Sequence, residues 1–170
     1  MKTIAISFIV LCVVASAALV SAQNRNIVAH PVDRVPSGTR LTGPSLVDAR
    51  IRFHTNDEDK DADTHVTVTV EDFNQVVAAR VSNDFGHFDD QSDSGPFSLE
   101  TLNASTKDDL QRGRLMIRID PNGHDTWRFG FFIQLVFSDG ITLAGSADGL
   151  ELTQDRRQQT FGLQGILRTM

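Results

Sequence analysis

The chain reads as an antiparallel β-sandwich of roughly eight strands in one domain, with one short helical turn near residues 106–112. Three observations predict this. Apolar and polar residues alternate with period two through most of residues 46–167, turn residues recur every ~8–12 positions, and only one stretch carries a helix start signal.

Taken in order, Val47, Ala49, Ile51 and Phe53 face one way while Asp48, Arg50, Arg52 and His54 face the other. Val66, Val68 and Val70 alternate with His65, Thr67, Thr69 and Glu71. A turn at Asp72-Phe73-Asn74 leads into Val76–Ser82, and Phe97, Leu99 and Thr101 suggest a fourth strand. Thr106 with Asp109 three residues on is a capping-box-like start, and Gly113 suits the position past a helix end, which leaves one or two turns around Leu110. Leu115, Ile117 and Ile119 mark a fifth strand. The longest run, Thr126 to Ser138, sets Trp127, Phe129, Phe131, Ile133, Leu135 and Phe137 on one face, with Phe132 and Val136 on the other. That pattern predicts a central strand buried on both sides. Ser138-Asp139-Gly140 turns it into Ile141–Ala147, Asp148-Gly149 has hairpin chemistry before Leu150–Thr153, and Thr160–Leu167 closes the chain.

The first residues have the pattern of a secretory signal. Lys2 precedes the almost wholly apolar Ile4–Val20, and small residues follow at Val20-Ser21-Ala22. A leader at 1–22, an arm or linker at 23–45 broken by Pro31, Pro36 and Pro44, and a domain at 46–170 are expected. The apolar run is short for a membrane span, so no transmembrane segment is expected in the mature chain. Leu11 is too bulky for lipoprotein cleavage at Cys12. The location expected is secreted or extracellular, or periplasmic in a bacterium. The single cysteine leaves with the leader, which excludes thiol catalysis, cysteine zinc sites and disulfides from the mature domain. Removing Lys2 takes the formal charge from −6 to −7 (−6 − 1), a poor match for nucleic acid.

The densest chemistry lies in Asp57-Glu58-Asp59-Lys60-Asp61-Ala62-Asp63, between two strands. If this segment is extended, Asp57, Asp59, Asp61 and Asp63 leave the backbone on one side. Like charges ~5 Å apart at an effective dielectric near 20 repel by about 3 kcal/mol per pair before screening. A bound Ca²⁺ would relieve that strain. The bland alternative is a solvated charge run. An EF-hand fits poorly, because Ala62 stands where its glycine belongs and Val68 where its glutamate belongs. Ca²⁺ takes 6–8 oxygens, so a second loop is needed. Asp89 and Asp93, from Asp89-Asp90-Gln91-Ser92-Asp93, supply it if the intervening strands alternate in direction, and the Asp120–Asp125 loop falls at the same end.

Several features occur in a familiar order: Thr55-Asn56-Asp57, then Ala62-Asp63-Thr64-His65-Val66-Thr67-Val68, then Phe88 and Phe97. Leu110, Gly113, Leu115, Ile117, Ile119, Asp120 and Trp127 follow. Over about residues 51–133 this resembles the lipoxygenase-homology (PLAT) β-sandwich, a relative in shape of C2 domains. Ala62 replaces that family's usual glycine, and after Trp127 the chain runs through Phe137-Ser138-Asp139-Gly140 into further strands instead of a closing Phe and Trp pair. The resemblance implies a non-catalytic role, with calcium in the loops and docking to lipid or protein.

No His-x-His or His-x-x-x-His pair supports a transition-metal site around His54, His65, His87 or His124. Gly145-Ser146-Ala147-Asp148-Gly149 is not a nucleophile elbow, and no glycine-rich phosphate loop exists. With no tyrosine and only Trp127 as indole, an aromatic sugar platform is not indicated. Asn103-Ala104-Ser105 is a glycosylation sequon in a eukaryotic source. Phe85 and Phe88 either pack onto the sandwich or form tips for membrane or partner. The expectation is a secreted, non-catalytic module that docks to a lipid surface or protein through Ca²⁺ held by Asp57, Asp59, Asp61, Asp63, Asp89 and Asp93. A structural or matrix protein with solvated loops, and a secreted hydrolase, are the alternatives.

Overall fold

The computed structural model describes residues 42–170, so the leader at 1–22 and residues 23–41 of the arm lie outside the described residues. The elements are β1 (Leu46–Thr55), β2 (His65–Glu71), β3 (Val77–Asn83), β4 (Ser92–Ser98) and β5 (Glu100–Thr101). They continue with α1 (Lys107–Gln111), β6 (Arg114–Asp120), β7 (Thr126–Phe137), β8 (Thr142–Thr153), β9 (Gln158–Gly162), α2 (Leu163–Ile166) and β10 (Arg168–Thr169). Two five-stranded antiparallel sheets result, in the orders β10-β8-β7-β1-β4 and β5-β3-β2-β6-β9. The all-β sandwich expected from the alternation is the fold.

Alternation explains the core. One sheet turns Ala49, Ile51 and Phe53 of β1 and Trp127, Phe129, Phe131, Ile133, Leu135 and Phe137 of β7 inward, and the other supplies Val66, Val68, Val70, Leu115, Ile117 and Ile119, all buried. Polar atoms in this interior are paired: the Trp127 indole nitrogen donates to Thr55 Oγ1 at 3.1 Å. Toward one end the core becomes aromatic, with Trp127 stacked on Phe129 at 4.0 Å and edge-on to Phe53 at 5.0 Å and Phe88 at 5.7 Å. Phe85 lies 4.2 Å from Phe97 and packs against the core, so neither loop phenylalanine is an exposed tip.

The structure departs from the alternation at identifiable irregularities. A register shift between Leu46 and Asp48 buries Leu46 and leaves Val47 exposed, the reverse of the expected facing. The predicted fourth strand is two: β4 pairs with β1, and after Leu99 the chain crosses to the other sheet as β5, beside β3. Asp148-Gly149 is no hairpin. It lies at a register shift between Phe129 and Phe131 within a continuous β8, which the left-handed Gly149 (φ +65) accommodates. Central β7 is not covered on its second face, since Phe132 is exposed. The α1 turn forms as expected, with Thr106 accepting from the Asp109 amide, while α2 had no sequence signal. The end of the arm is docked: Ser45 bridges to Thr106, and the Lys107 amide donates to Pro44.

Gly113 is required here by close approach of the chain and not by a left-handed backbone. A Cβ at this position would lie 2.1 Å from the Glu71 carbonyl oxygen and 3.0 Å from Asp72 Cα. Substituting Gly113→Ala therefore forces backbone apart and should lower the unfolding free energy by about 2–3 kcal/mol. Gly162→Ala, which meets nothing within 4 Å, should stay near wild type in the same urea titration.

Candidate functional site

Because consecutive strands reverse, the loops after β1, β3, β6 and β8 gather at the aromatic end of the sandwich. Residues 56–64, 84–91, 121–125 and 154–157 touch one another there. Lys60 and Phe88 exchange backbone hydrogen bonds at 3.2 and 3.1 Å, Asn122 donates to Asp63 at 3.1 Å, and the Gln154 amide donates to the Asp125 carbonyl at 3.2 Å. The three acid-bearing loops do share one pole, joined by a fourth.

The first loop is not extended. Its bridge to Phe88 turns Lys60 inward, and a turn closed by the Thr64 amide on the Asp61 carbonyl follows at 3.1 Å. Lys60 is fully buried. Its ammonium donates to the carbonyls of Asp61 (2.7 Å), Thr64 (3.0 Å) and Asp84 (2.8 Å), and lies 4.9 Å from the centre of the Phe88 ring. Beneath it, the Thr64 hydroxyl donates to buried Asp125. Burial holds the Lys60 ammonium below the ordinary lysine value of 10.5, against the opposing pull of Asp125, Asp84, Asp61 and Asp63.

With Lys60 turned in, the loop carboxylates fan out. Asp57 pairs with Arg128 at 3.3 Å and Asp63 accepts from Asn122. Asp93 lies on β4, not in a loop, where its carboxylate meets His54 Nδ1 at 2.8 Å on the outer face of the sheet. Asp59 and Asp89 each reach His87 Nε2 at 3.3 Å. Among the described residues, one group brings donor atoms to within 4.8 Å of one another: Asp59, Asp61 and His87. Two of the six expected ligands therefore meet there, together with a histidine for which no spacing motif gave support. Its signal is spatial, since β3 and the bridge at Phe88 carry residue 87 over the first loop. Beside this group lies an open cleft of about 460 Å³, lined in part by Glu58, Asp59, Asp61, His124, Asp125 and Asp155.

Comparison of the chain with family models, curated proteins and solved structures finds no match.

Replacing Lys60 with methionine would keep the stem and remove the charge, leaving three carbonyls without their donor and the acidic loop without its internal cation. The expected loss is about 3 kcal/mol by chemical denaturation. The pH dependence has a definite sign. A lysine that binds its proton less tightly folded than unfolded makes stability rise with pH up to 10.5 and level off above it. The stability difference between wild type and K60M should accordingly grow as pH climbs toward 10.5. A difference that shrinks over that window would show that the carboxylates outweigh the burial.

Proposed function

We propose that this is a secreted, non-catalytic binding module that takes a divalent cation at its acidic pole and docks through it to a phosphate- or carboxylate-bearing lipid surface or protein. The observation that carries this reading is the convergence of Asp59, Asp61 and His87 within 4.8 Å. The leader pattern from Lys2 through Ile4–Val20 supports export, and the PLAT resemblance supports a docking role over a catalytic one.

The donor set bears on which cation. Ca²⁺ takes 6–8 oxygens. Two carboxylates and an imidazole nitrogen, with Asp89 beside the same nitrogen at 3.3 Å, suit Zn²⁺ or Mn²⁺ better. The reading is thus of a divalent site with a first-row preference, Ca²⁺ being held more weakly. A specific observation favours a second reading, of loops that are structural and solvated: Lys60 already binds three carbonyls at the loop's centre, as a cation would.

A thermal melt of residues 23–170 in EDTA, then with Zn²⁺, Mn²⁺, Ca²⁺ or Mg²⁺, separates the two. An ion at 100 times its Kd adds about 2.7 kcal/mol, a shift of a few degrees in a domain of this size. The midpoint should rise most with Zn²⁺ or Mn²⁺, and D59N and H87A should each abolish the rise. If no ion moves the midpoint, the loops are structural. If the rise survives both variants and is lost in D57N or D93N, the wider set of six aspartates is the site.

A further inference from the structure

The outer face of the sheet β10-β8-β7-β1-β4 carries a second feature, separate from the acidic pole: an open groove of about 620 Å³. We infer that it is a binding site for a short saccharide. This goes beyond the cation reading and does not depend on it.

The groove is built around a missing side chain. Register places Asp93 of β4, His54 of β1 and Gly130 of β7 in one row. A Cβ on Gly130 would lie 2.8 Å from Asp148 Oδ1. The glycine's φ is not in the left-handed region, so space and not backbone conformation makes it necessary. Its bareness lets the Asp148 carboxylate lean across β7 toward β1, where Asn56 donates to it at 3.3 Å and the Gly149 amide at 2.7 Å. These two donors hold Asp148 below the usual carboxylate range, so it is an acceptor at neutral pH.

The other groups are presented in the same deliberate way. His54 gives Nδ1 to Asp93 at 2.8 Å, which orients the ring and leaves Nε2 without a partner among the described residues. One step along β1, Arg52 is exposed and makes no ion pair or hydrogen bond among the described residues. Phe132 of β7, opposite Arg52 of β1 and Ser146 of β8, keeps 36% of its surface exposed at the centre of the sheet.

The chemistry of the lining selects the ligand. Arg52 only donates, the Asp93 and Asp148 carboxylates only accept, and opposite charges interleave, so a simple anion or cation meets repulsion from one of them. Hydroxyls on neighbouring carbons answer both, each donating to a carboxylate and accepting from the guanidinium. The apolar face of a sugar ring would rest on Phe132. Pockets of ~300–1,000 Å³ with a few convergent polar groups are the usual setting for such ligands. The sequence argument against an aromatic platform rested on tyrosine and tryptophan; here one phenylalanine suffices because polar groups surround it.

The test is an NMR titration of residues 23–170 in EDTA with a panel of cello-, chito-, laminari- and manno-oligosaccharides. At least one should give saturable shifts at Arg52, His54 and Phe132. G130A, which pushes the Asp148 carboxylate aside and also presses on the Ala147 carbonyl oxygen at 3.1 Å, and F132A should each weaken that binding by roughly tenfold or more. The F132A melting midpoint should stay near wild type, and a native-like spectrum checks that G130A is folded. D59N should bind the sugar as wild type does, so loss of the cation site and loss of the groove are read separately. Absence of saturable shifts across the panel at millimolar concentration, or unchanged affinity in both G130A and F132A, overturns the proposal.

Discussion

The acidic pole depends on one buried ammonium. Five carboxylates within seven residues would hold no fixed shape through mutual repulsion, yet the loop of residues 56–64 is folded, bridged to Phe88 and seated on the aromatic end of the core. Lys60 makes that possible by acting at the loop's centre as a cation tethered to the chain. It collects carbonyls from two loops, so the first and second acidic segments are joined through its three hydrogen bonds as well as through the bridge at Phe88. Desolvating an ammonium is costly, and the compensation comes from several small sources: the three carbonyls, the Phe88 ring and the surrounding carboxylates. A divalent ion bound at this pole, as proposed, would therefore not organise the loop. It would meet a loop already shaped, and only those carboxylates that Lys60, Arg128 and Asn122 leave facing His87.

The same core supports both candidate sites through opposite devices. At the pole, Phe88 brings bulk beneath the loop and lifts charged groups outward over a dense aromatic floor. On the outer sheet face, Gly130 withholds bulk and opens a trough between strands. The flanking edge strand β4 carries Pro96, which cannot donate to a further strand, and the opposite edge β10 is two residues long. Strand addition at either edge of this sheet is thereby discouraged, and its outer face stays open to smaller ligands.

Much of the sandwich was legible because the period of two is a backbone property and survives wherever pairing is regular. Ile51 and Phe53, the valines of β2, and the apolar residues of β6 and β7 all face as the alternation requires. The failures lie where regular pairing stops. A bulge at Leu46/Asp48 swaps Val47 for Leu46, another at Asp148-Gly149 imitates a hairpin, and the crossing at Leu99 divides one apparent strand between two sheets. The site was legible only in part, for a related reason. Clustering of acid is visible in one dimension, but side-chain direction depends on whether the backbone is extended, and the inward turn of Lys60 decides that. Asp93 looked like loop chemistry by its neighbours, and pairing with β1 made it a strand residue facing His54. His87 had no motif because Asp59 and Asp61 are 28 and 26 residues away in sequence (87 − 59 and 87 − 61) and meet it only through the bridge at Phe88.

The distribution of apolar surface constrains how the pole can dock. Among the described residues, three of the exposed large hydrophobic side chains, Phe73, Val76 and Leu102, lie in or beside the turns at the opposite end of the sandwich, and none of the others (Val47, Phe132 and Met170) lies in the acidic loops. Phe85 and Phe88, which sit in those loops, are drawn onto the core. Contact through the acidic pole thus has no apolar anchor and rests on electrostatics alone. A chain of net charge −6 meets repulsion at an anionic surface until a cation intervenes. Attachment of that kind weakens as salt rises, because exposed charges are screened within a Debye length of about 8 Å at physiological ionic strength. It is also reversible on removal of the ion, as nothing inserts. By contrast, the saccharide contacts proposed for the groove over Gly130 would be short-range hydrogen bonds and ring packing, which salt screens far less. On the proposed readings the two faces would respond to different conditions: the pole to cation and salt, the groove to the concentration of its ligand.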